Sequence, residues 1–68
     1  MLKWNLEYFM VRDNLSIDET AKMTGLHRNA ISKIKNNKQS RADLETIERI
    51  CDGFGITIDQ LIIKDRDA

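Results

Sequence analysis

The 68-residue chain has no proline, three glycines, one cysteine and four aromatic residues. Each shortage excludes something. With proline absent and glycine scarce, little in the composition breaks helices, so a mostly helical chain is expected. The single thiol, Cys51, rules out an internal disulfide, and one histidine, His27, leaves no metal-ligand set. A lone thiol on an apolar helix face points to a reducing compartment, and a cytoplasmic location is expected. No apolar run approaches the roughly 18 residues of a membrane span. The opening residues Met1 to Glu7 lack a basic stretch followed by a long apolar one, so they do not read as a secretory signal. There is no glycine-rich phosphate loop and no paired carboxylate or nucleophile–base set. A domain this small can hardly enclose a pocket of about 300 Å³ or more. Neither an enzyme nor a bound cofactor or small-molecule ligand is therefore expected.

What is present is 41% hydrophobic and 32% charged, the balance of a globular chain with room for one core. The formal net charge is zero, but the charges are segregated. Residues 1–41 carry eight basic and four acidic side chains, and residues 42–68 carry three basic and seven acidic. Between Lys22 and Arg41 there are six cations and no anion, the most anion-seeking stretch of the chain.

Helical periodicity organises the chain. A first helix of about three turns is predicted near the start, with Leu2, Leu6, Phe9 and Met10 on one stripe. Trp4, Tyr8 and Val11 fall on a second stripe, which either folds onto the last helix as core or faces a partner. Asp13-Asn14 ends this helix. Ser16-Ile17-Asp18-Glu19 reads as a capping box opening a helix over roughly 17–23, with the small Ala21 allowing a close helix crossing. Gly25 can take the left-handed conformation that ends it. A third helix spans about 28–36, with Ala30, Ile31 and Ile34 on one arc and Arg28, Asn29, Ser32, Lys33, Lys35 and Asn36 opposite. The polar loop after it contains Asn37, a residue type that tolerates positive φ. A fourth helix over about 43–53 puts Leu44, Ile47, Ile50, Cys51 and Phe54 on one face. Thr57-Ile58-Asp59-Gln60 opens a last helix over 58–63, with Ile56 and Leu61 placed as a hydrophobic staple. The domain is taken as 1–63, and 64–68 as a polar, frayed tail.

A short helix, a glycine turn and a second short helix have the spacing of a helix-turn-helix. Leu15-Ser16, Glu19, Ala21, Gly25-Leu26, Ile31-Ser32 and Ile34, then Leu44-Glu45-Thr46-Ile47 and Phe54-Gly55-Ile56, resemble the Cro/repressor-type (XRE-like) helix-turn-helix regulators of phages and bacteria. The resemblance runs from about Leu6 to Leu61. It implies an all-α, compact five-helix, lambda-repressor-like domain with the helix-turn-helix at helices 2–3. It also implies a double-stranded DNA partner and a role in transcriptional regulation, with repression the expected sign. Four features depart from the family pattern. Thr20 stands where an apolar residue, usually Leu, packs the core, and is expected to weaken it by ~1–2 kcal/mol unless its methyl fills the space. Ile17 replaces a polar, phosphate-binding side chain, Asn37 stands where Gly is common, and no Pro precedes the fourth helix.

In this family the second helix of the motif enters the major groove, which is ~12 Å wide. Carried onto this sequence, Arg28, Asn29 and Lys33 are the base-reading candidates, with Ser32 and His27 secondary. Arg28 and Lys33 can donate to guanine O6 and N7, and Asn29 can pair with adenine N6 and N7. Phosphate contacts are assigned to Ser16 and the amides of its helix start, and to Lys35, Asn36, Lys38 and Arg41. Arg41 has the alternative of entering a minor groove. Half-site recognition favours two subunits, and the apolar residues Trp4, Tyr8, Ile58, Ile62 and Ile63 are the candidate homodimer surface. The rival reading is a protein-interaction module of the same fold, antitoxin-like or antirepressor-like, with DNA binding secondary.

Overall fold

The structure is a computed structural model and describes residues 2–64. Five helices and two short strands follow in the order β1 (Leu2–Trp4), α1 (Leu6–Arg12), α2 (Ile17–Thr24), α3 (Arg28–Lys35), α4 (Leu44–Phe54), α5 (Ile58–Leu61) and β2 (Ile62–Lys64). The strands pair antiparallel, Leu2 with Lys64, Lys3 with Ile63 and Trp4 with Ile62.

The fold is thus not strictly all-α. The expected first helix loses its beginning to β1, and Leu2, assigned to the apolar stripe, is largely exposed. The last helix stops at Leu61 rather than 63, because Ile62 turns into extended backbone and pairs with Trp4. Ile62, Ile63 and Trp4 are residue types that suit a pleated, half-covered surface, and tertiary pairing overrides the weak helical signal. Lys64, placed in the tail, belongs to β2, and the rest of the predicted tail, 65–68, lies outside the described residues.

The helix boundaries follow from local chemistry. Ser16 Oγ accepts from the Glu19 amide at 3.1 Å while Glu19 Oε1 accepts from the Ser16 amide at 2.9 Å, the expected capping box of α2. Gly25 ends α2 at φ 77°. An added Cβ there would lie 2.7 Å from Arg49 Nη1, the movable end of a side chain, so it is the backbone angle that favours glycine. Two helices end on asparagine instead. After α1, Asn14 (φ 55°) precedes a bond from the Leu15 amide to the Met10 carbonyl. After α3, Asn37 (φ 56°) precedes one from the Lys38 amide to the Lys33 carbonyl. Both are Schellman closures with Asn in the left-handed position. At α5 the Gln60 side chain accepts from the Thr57 amide at 2.9 Å, and Ile56 and Leu61 both pack on the core.

One core joins all the elements. Leu6, Phe9 and Met10 of α1 meet Ile31 and Ile34 of α3, Ile47, Ile50 and Phe54 of α4, Leu61 of α5 and Trp4 of β1. Leu15, Ile17, Ala21, Leu26, Cys51, Ile56 and Ile62 cover it. Leu44 departs from its expected buried face: it is 80% exposed, because the first turn of α4 overhangs the core and Ile47 is the first residue of that face to reach it. Gly53 lets α4 approach the end of α2, where an added Cβ would sit 3.2 Å from Thr24 Cγ2. Thr20 and Thr24 are both buried. The Thr24 hydroxyl donates to the Thr20 carbonyl at 2.8 Å, whereas Thr20 Oγ1 has no partner.

Trp4 is inside, not on the candidate partner surface. Its indole N–H donates to the Gln39 carbonyl at 2.8 Å. Its backbone amide donates to Asn37 Oδ1 at 2.7 Å, and its carbonyl accepts from Asn37 Nδ2 at 3.2 Å. β1 is thereby fastened to the loop that leaves α3.

Candidate nucleic-acid interface

Helix α3 is set by its ends and its inner face. His27 is its N-cap, with Nδ1 accepting from the Asn29 amide at 3.0 Å. Ile31 and Ile34 are buried and fix its rotation, α2 packs along it, and α1 touches it. Rotation at about 100° per residue then turns Arg28, Asn29 and Lys33 outward, and all three are exposed, as is His27; Ser32 is half-buried. No carboxylate occurs anywhere on α3.

The expected site residues fall into groups. Asn29, Lys33 and Arg41 line one open cleft of about 610 Å³ between α3 and the loop to α4, together with Gln39 and Thr46. His27 and Arg28 line a shallow depression between the start of α2 and the start of α3, with Asp18 and Lys22. Ser16, Ser32, Lys35, Asn36 and Lys38 line neither. Among the described residues, Lys33, Lys38 and Arg41 form no ion pair. Arg28 does, with Nε 2.8 Å from Asp18 Oδ1, and Lys35 Nζ lies 3.6 Å from Glu7 Oε2. Asp18, Gln39 and Thr46 escaped the sequence reading. Nothing local marks Gln39 or Thr46, and the Asp18–Arg28 pairing depends on how two helices pack.

Two helix starts near this face are already satisfied by carboxylates. Glu19 is held below its ordinary value of 4.5, first by the Ser16 amide and then by the Ser16 hydroxyl. Asp43 caps α4, with Oδ1 accepting from the Thr46 amide at 2.8 Å, and is held below its ordinary 3.8 first by the Thr46 side chain and then by that amide. At the start of α2, therefore, the Ser16 amide is already engaged, and an anion there would meet the amides of Ile17 and Asp18.

An outward helix face of donors and cations, over a buried aliphatic face, suits a polyanion with hydrogen-bonding groups along its grooves. A family model for the Cro/C1-type HTH DNA-binding domain matches residues 5–67. The chain belongs to that family. Neither the curated proteins nor the solved structures give a match. For a Cro/C1-type domain the partner is DNA, and the charge segregation of the chain acquires a direction: the cation-rich segment contains α3, while the acidic residues of α4 and beyond follow it in the chain. No helix among the described residues is long and apolar enough to cross a membrane.

Proposed function

We propose that the α2–turn–α3 pair is the helix-turn-helix of a sequence-specific transcriptional regulator acting in the cytoplasm, and that α3 inserts into the major groove. The observation that carries this reading is the outward face of α3: Arg28, Asn29 and Lys33 exposed side by side, no carboxylate on the helix, and Ile31 and Ile34 buried behind them. Arg28 and Lys33 supply donors for guanine O6 and N7, and Asn29 supplies the donor–acceptor pair that fits adenine. Ser32 and His27 act at the margin of this set. Lys38 and Arg41, on the following loop, neutralise phosphates, with Lys35, Asn36 and the start of α2 completing the backbone contacts. Occupancy of an operator that overlaps a promoter makes the regulator a repressor.

A homodimer supplies the second half-site. Tyr8 and Ile58 support this as exposed apolar residues, and Ile62 and Ile63 are half-buried. Sedimentation of the free protein and of its duplex complex tests the dimer; a monomer in both refutes it.

The DNA reading is tested by binding to duplex DNA as a function of salt. Neutralisation of about five phosphates per subunit gives a slope of log K against log salt near −4 to −5. The pair Arg28→Ala and Lys33→Ala should collapse DNA affinity and remove the preference for guanine. An affinity independent of salt, or regulation that survives loss of DNA affinity, would favour the protein-interaction reading.

A further inference from the structure

Arg28 opens α3, and Asp18 lies in the first turn of α2. Arg28 Nε and Asp18 Oδ1 are 2.8 Å apart, with side chains 63% and 67% exposed. An ion pair this exposed contributes little to folding. It also places a carboxylate beside the face that meets a polyanion, where a bare charge would weaken binding. Its geometry suggests another use. Arginine has five N–H donors in a rigid fork. The contact is an ion pair at Nε without the alignment of a hydrogen bond, so no donor of the fork is spent on Asp18, and Nη1 and Nη2 are the donors that match the O6 and N7 acceptors of guanine. The two residues are brought together because α2 and α3 pack against each other across the turn closed by Gly25.

We propose that Asp18 is a specificity-determining positioning residue. It holds the Arg28 guanidinium for guanine. The inference rests on α3 being the base-reading helix.

The experiment compares wild type, Asp18→Asn, Arg28→Ala and the double variant. Each is put through selection from duplexes randomised over about 24 base pairs, enough for two half-sites a helical turn apart. Affinity for a scrambled duplex is measured in parallel. Wild type should recover guanine at the position that Arg28 reads in each half-site, and Arg28→Ala should lose it there. A bidentate Arg–guanine pair discriminates by roughly 5- to 150-fold. Asp18→Asn is expected to forfeit about fivefold of that, the low end, because the fork is loosened rather than removed. Affinity for scrambled DNA should rise about twofold or more as an anion leaves the interface. In the Arg28→Ala background, Asp18→Asn should no longer change base preference. The proposal is overturned if Asp18→Asn leaves the guanine preference intact, or if its effect persists undiminished without Arg28. If Arg28→Ala itself changes neither preference nor affinity, it is the base-reading role of Arg28 that fails, a result separable from the other two.

Discussion

Two threonines one turn apart on α2 make an internally controlled experiment. Both Thr20 and Thr24 are buried, but only the Thr24 hydroxyl has an acceptor, the Thr20 carbonyl, and Thr24 Oγ1 also receives the Leu26 amide at 3.4 Å. Thr20 Oγ1 is buried without a partner. Thr→Val keeps the shape and replaces the hydroxyl by a methyl, and the helix propensities of the two residues are close. At position 20 the substitution removes an unsatisfied buried group, whose burden is about 1–3 kcal/mol. Thr20→Val should therefore stabilise by roughly 1–2 kcal/mol. At position 24 the same change deletes a made hydrogen bond and should destabilise by about 0.5–1.5 kcal/mol. Urea unfolding followed by Trp4 fluorescence gives both values, and for a chain this short each kcal/mol moves the thermal midpoint by roughly 4–8 °C. Opposite signs at the two positions are the expected result. A Thr20→Val variant less stable than wild type would mean that the hydroxyl has a partner, and the reasoning would fail.

Three further outcomes follow from the same geometry. Asn37→Gly keeps the left-handed backbone but deletes both bonds to Trp4, and should destabilise by about 1–3 kcal/mol; Asn37→Ala should lose roughly 1–2 kcal/mol more, because alanine resists φ of 56°. Equal stabilities of the Gly variant and wild type in urea would refute the clamp. Glu19 and Asp43 both titrate below their ordinary values of 4.5 and 3.8 when folded, so the stability they lend is fully present above that range and is lost as pH falls through their folded values. Urea midpoints measured from about pH 6 down to pH 3 should decline, and Glu19→Gln with Asp43→Asn should flatten the decline. Burial, aided by the charge of Asp52, pushes the Cys51 thiol above its ordinary 9.0; alkylation by iodoacetamide should be slow in the folded protein and become fast in urea.

Much of the helical frame can be read from local chemistry alone. The Ser16–Glu19 capping box, the left-handed Gly25 and the apolar arc of Ile31 and Ile34 are short-range patterns, and they locate α2, the turn and α3 to within a residue or so. The sheet is a different matter. Leu2-Lys3-Trp4 fits a helical stripe as well as a strand, and its partner Ile62–Lys64 lies at the other end of the described chain, so no window of sequence contains the pairing. Leu44 misleads for a related reason: the helical angle puts it on the core face, but only the packing reveals that the core does not extend that far. Thr20 is legible as a departure, and its unpartnered hydroxyl gives that departure a physical meaning. In the candidate interface the outward residues of α3 follow from periodicity. The engagement of Arg28 by Asp18 and of Lys35 by Glu7 does not, because each joins side chains of separate helices.

The amide of Asn37 has a consequence beyond anchoring Trp4. A two-stranded ribbon presents open margins, and an open margin is a template on which a stray strand from another molecule can dock and propagate. At Trp4 the two main-chain groups facing away from β2 are already taken by one side chain. An incoming strand must first evict it. Glycine at position 37 would satisfy the backbone equally well and leave that margin bare, so the asparagine also acts as a stopper against unwanted chain-to-chain growth.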